Sequence, residues 1–84
     1  MDEQETEIGE VMTYYANIGV VAIELTSNVK VGDTIILRGL TTDLEQKVDS
    51  MQIERESVQE AKAGDQIGVK VSGKVRKNDR VYKK

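Results

Sequence analysis

Glu54 and Glu56 stand two apart in MQIERESV, the spacing that puts two carboxylates on one face of a strand. Paired carboxylates are the groups that acid–base hydrolysis uses. The competing reading is a solvated strand face, and the rest of the composition favours it. There is no histidine and no cysteine. That removes the usual general base, the commonest metal ligand, thiolate zinc sites, disulfides and a cysteine nucleophile. Ser27, Ser50, Ser57, Ser72, the threonines and the tyrosines offer hydroxyls, but the sequence sets no base beside any of them. Catalysis by this chain is therefore not expected, and no catalytic residue, metal ligand or cofactor is assigned.

Three aspartates recur in one phrase: KVGD at 30–33, KAGD at 62–65 and the altered RKND at 76–79. Calcium loops also combine acids with glycine, but the acid spacing of an EF-hand is missing. A geometric role explains the phrase better. Glycine supplies a positive φ, asparagine is the next best residue there, and the aspartate side chain can hold nearby backbone. The intervals between copies are unequal, so the phrase does not mark a solenoid repeat.

The charge distribution is a third source of chemistry. The net charge is -3. Residues 1–10 carry Asp2, Glu3, Glu5, Glu7 and Glu10 and no cation, whereas residues 70–84 carry seven cations against Asp79 alone. Lys70, Lys74, Arg76, Lys77 and Arg80 could neutralise phosphates, and Tyr82 among them could stack on a base. The competing reading is a solvated edge strand whose lysines discourage pairing between molecules, with Tyr82 capping the fold.

The elements that must carry these residues read as strands. Residues 1–7 are expected to form a disordered acidic arm, followed by one domain over 8–84. IGEVMTYY (8–15) alternates, with Ile8 and Met12 on one side. IGVVAIEL (18–25) is a β-branched run. TIILRG (34–39) sets Ile35 and Leu37 on one face and Ile36 on the other. Residues 44–61 fit one long strand, bent by a bulge between Val48 and Met51, better than a helix. QIGVKVS (66–72) points Ile67, Val69 and Val71 inward, and RVYK (80–83) is a short last strand. About six strands and no helix predict an all-β, small closed barrel. Val20, Ala22 and Ile36 are candidates for an outward apolar patch that docks a protein.

VGDTIILRG, the stretch AGDQIGV (63–69) and the final Asn78-Asp79 turn together resemble the second domain of translational GTPases such as elongation factor Tu. DLEQKVDSMQ (43–52) resembles the barrel appended to collagenase-like peptidases of the kind involved in tRNA hydroxylation. The resemblance covers about residues 8–83 and implies a six-stranded Greek-key barrel of the translation-factor domain 2 type. It also implies that Gln52 and Arg55, matching a Glu and an Arg of that domain, face the 3′ end of a tRNA. The acid has become an amide here, and Glu54 between them adds negative charge. No G-x-x-x-x-G-K-[ST] occurs, so no GTP binding by this chain is expected.

No apolar run approaches the roughly 20 residues of a membrane span, and no signal peptide opens the sequence. A cytoplasmic protein without membrane contact is expected. The function expected is an accessory barrel in translation or tRNA metabolism, with tRNA or a tRNA-modification protein as partner. The alternative is a protein-docking adaptor that touches no nucleic acid. The oligomeric state is left open.

Overall fold

Residues 30–33, 62–65 and 76–79 fold into the same turn three times in the computed structural model, which describes residues 6–84. In each, the aspartate carboxylate accepts a hydrogen bond from the N–H of the first residue, at 3.0 Å for Lys30, 3.0 Å for Lys62 and 2.9 Å for Arg76. The aspartate N–H donates back to that residue's carbonyl. The third position has positive φ: 99° at Gly32, 94° at Gly64 and 74° at Asn78. Glycine and asparagine tolerate that region, and the aspartate locks it. The repeated phrase is geometry, and each carboxylate is already engaged with backbone.

Between the turns the chain forms ten strands: β1 (Thr6–Tyr15), β2 (Val20–Leu25), β3 (Val29–Lys30), β4 (Thr34–Arg38), β5 (Asp43–Lys47), β6 (Met51–Ile53), β7 (Glu56–Val58), β8 (Glu60–Ala61), β9 (Gln66–Lys70) and β10 (Arg80–Lys83). The architecture is all-β, as expected, and the described residues contain no helix. Eight strands form one half-barrel sheet in the order β5-β4-β10-β1-β2-β9-β6-β7, and β3 pairs with β8 separately. Every pairing is antiparallel. The ladder thus runs from β5 to β7 through more strands than the six expected. The cause is local. Residues 48–50 leave the ladder and split the long bent strand in two, and a two-residue turn then folds β7 back on β6.

The core is aliphatic. Ile8, Val11, Val21, Ile23, Leu25, Val29, Ile35, Leu37, Val48, Met51, Ile67, Val69 and Val81 are buried in one cluster, on which Tyr14 and Leu44 also pack. Ile67, Val69 and Val71 point inward as their alternation predicts. Met12 does not share the side of Ile8. The β1–β2 register shifts between Val11 and Thr13, and the extra residue turns Met12 into solvent. β1 begins at Thr6, inside the predicted acidic arm; the arm's residues 1–5 lie outside the described residues.

Candidate functional site

Opposite Glu10 of β1 stands Arg80 of β10, and opposite Arg80 stands Arg38 of β4. Past this row, three segments leave the sheet at the same end. They are the β1–β2 hairpin tip, the loop 71–79 and the β4–β5 turn. Arg38, Gly39 and Leu40 line one wall of an open cleft of about 430 Å³ there, and Arg76, Lys77, Asn78, Asp79 and Arg80 line the other. Four cations therefore converge beside Leu40, which is fully exposed.

The loop 71–79 is held down along its length. Asn78 N–H donates to the Val11 carbonyl and Val11 N–H to the Asp79 carbonyl, both at 2.8 Å. The Asp79 carboxylate is buried against Gly39, where a methyl group would collide with it. Asp79 thus sits where the loop meets the β4–β5 turn, its carboxylate held by the Arg76 N–H. Arg80 has company on its outer side, with Glu7 at 3.3 Å and Glu10 at 3.8 Å. The Arg38 guanidinium lies 5.5 Å from the centroid of the Tyr82 ring, which occupies one face of the tyrosine proposed for stacking.

The predicted RNA-binding residues fall into separate places. Arg76, Lys77 and Arg80 meet at the cleft, with Lys74 in the same loop. Gln52 and Lys70 line a different, shallow depression with Val20 and Gly68. Arg55 sits beyond Ile53 in the β6–β7 turn, toward the opposite end of the sheet. Gln52 and Arg55 therefore do not share one strand, as the resemblance implied. Nor do Glu54 and Glu56: Glu54 and Arg55 form the turn itself, at φ 51° and 69°, and β7 starts only at Glu56. The other cations of the basic end are drawn to carboxylates, Lys83 to Asp33 at 3.9 Å and Lys84 to Glu45 at 3.4 Å.

Of the predicted docking patch, Val20 and Ala22 lie half-buried on the outer face of β2, with Val20 opposite Tyr15. Ile36 is a correction. Between Glu45 and Tyr82 in the ladder it is only 2% exposed, so it offers no surface to a partner. Sequence reasoning passed over Arg38 and Leu40. The signal for Leu40 was a large aliphatic residue inside a polar turn, LTTD, where nothing requires one.

Sequence comparison places the chain among peptidase-like relatives. It is 45% identical over 80 residues to an uncharacterised protease of Methanocaldococcus jannaschii, covering 94% of this chain and 20% of that protein. It is 34% identical over 82 residues to a collagenase of Porphyromonas gingivalis, covering 95% of this chain and 23% of that protein. The chain thus spans about a fifth of the length of the curated relatives it matches. No family model matches it. Among solved structures, the fold matches the C-terminal domain of a protein described as a U32 peptidase from Geobacillus thermoleovorans. The TM-score is 0.86 at 16% identity, covering 92% of this chain and 90% of that one. The expectation that this chain is not an enzyme is corrected by these names: the relatives are called protease and collagenase, which points to a peptidase family, and this chain matches about a fifth of each relative's length. The collagenase-like half of the sequence resemblance agrees with them. No helix of the described residues is long and apolar enough to cross a membrane.

Proposed function

We propose that this chain is an accessory β-barrel domain that works beside a catalytic unit of the U32 peptidase or collagenase-like kind. One observation carries the reading. Nearly the whole chain matches a protein named a protease, and it matches only a fifth of that protein's length. The chemistry missing from these residues would then reside in the other four-fifths. The domain's part is to hold that unit or its substrate, as rigid β scaffolds commonly do.

Closure of the sheet into the six-stranded Greek-key barrel of the translation-factor type belongs to this proposal. Residues 43–53 support it, because β5 ends one side of the sheet while β6, three residues later, lies beside β9 at the other. The test of the accessory role is genetic and biochemical together. Deleting the domain from its source cell should reproduce the loss that follows deletion of the U32-type catalytic unit, and the domain should purify with that unit, in the same polypeptide or another. Normal growth and independent purification would remove the reading.

A second reading, contact with RNA or tRNA, rests on the gathering of Arg76 and Lys77 with Arg38 and Arg80 around one cleft. Its test is retention of labelled tRNA at low salt, lost in an R76E/K77E variant, with a slope against salt set by the phosphates neutralised.

A further inference from the structure

Four large apolar side chains stand in solvent among the described residues: Met12, Tyr15, Ile18 and Leu40. All four lie at one end of the sheet. The row Glu10–Arg80–Arg38 fixes this, since Met12, Tyr15 and Ile18 follow Glu10 and Leu40 follows Arg38 beyond the same edge. Among the described residues, the opposite end, built from the Gly32 and Gly64 turns, presents none. The cationic cleft opens at the apolar end, beside Leu40. Apolar tips flanked by guanidinium groups are the composition of a docking face: aliphatic groups gain by leaving water, and arginines meet carboxylates at the rim.

We propose that this end of the domain is the face that docks on the catalytic unit of a U32-type protein, its tips seated in apolar pockets and its cations against carboxylates. This rests on the accessory-domain reading, and the occupant follows from it. The relatives carry four-fifths of their length outside the matched region, so a domain of this kind has a large neighbour to lean on. Three of the four tips are aliphatic or thioether side chains, which offer no ring for a base to stack on. That favours a protein surface over RNA. Val20, opposite Tyr15, extends the patch along the outer face of β2.

A photo-crosslinking amino acid placed at Leu40, at Ile18 and, as control, at Ala63 on the opposite end tests this in the source cell. The expected result is a link from positions 40 and 18 to a U32-type catalytic unit, in the same polypeptide or another, identified by peptide mass spectrometry. Ala63 should give none, and adding R76E/K77E should cut the yield from position 18 by about tenfold. A link to that unit from Ala63 alone overturns the docking face and leaves the accessory role standing. Links from 40 and 18 to RNA, lipid or a second copy, or no link from either, overturn the docking face. No link to a U32-type unit from any position overturns both.

Discussion

The side-chain amide of Gln46 stands in for a peptide group between two strands that do not pair directly. Its Oε1 accepts the backbone N–H of Ser72 at 3.0 Å, and its Nε2 donates to the Lys70 carbonyl at 2.8 Å. Gln46 lies on β5, at one end of the sheet order, and Lys70 ends β9, near the other. One side chain thus bridges the seam that the ladder leaves open.

Gln46→Ala should lower stability by about 1–2 kcal/mol, the worth of two partly exposed hydrogen bonds whose backbone partners lose them. Gln46→Glu should do no better, because a carboxylate would face the Lys70 carbonyl with no proton to donate. The midpoint of urea unfolding measures both, and a value for the glutamate variant equal to that of the natural chain would sink the bridging role.

The β6–β7 turn carries two non-glycine residues at positive φ, Glu54 and Arg55. Two-residue hairpins of this type favour Asn-Gly. E54N/R55G should therefore raise the unfolding midpoint, by about 1 kcal/mol. A lower midpoint in circular dichroism melts would mean that these side chains make contacts worth more than the backbone relief.

Gly39 lies against the Asp79 carboxylate with no room for a methyl group. Gly39→Ala should destabilise the chain by about 1–3 kcal/mol as the loop 71–79 is pushed away. Asp79→Ala should relieve the collision, so the double variant should lose less than the sum of the two single losses. Strict additivity in a thermodynamic cycle would mean that the two do not meet.

Leu40→Asp and Ile18→Asp remove exposed side chains that pack on nothing in the core. Each should leave stability within about 0.5 kcal/mol. Thermal melts check this, and a large drop would show that these tips support the fold itself.

What could be read from the sequence was what is settled within a few residues. The three aspartate turns are such a case, since each is closed by bonds between its own first and fourth residues. The inward set Ile67, Val69 and Val71 follows from strand alternation alone. The β6–β7 hairpin was missed because Glu-Arg carries no turn signal. Met12 was misplaced because a bulge in β1 is decided by its pairing with β2, not by its own residues. The cleft was out of reach for a further reason. Arg38 and Arg80 are 42 positions apart and become neighbours only through β4–β10 pairing.

That pairing sets an order of events. β10, the last strand, lies in the middle of the eight-stranded sheet, between β4 and β1. Until residues 80–83 arrive, β5-β4 and β1-β2-β9-β6-β7 are two separate ribbons, each with a bare flank of unpaired backbone groups. Closing loops this long is slow relative to local pairing. During synthesis the sheet must therefore wait, half-built and prone to adhere to its neighbours, until residues 80–83 have cleared the ribosome.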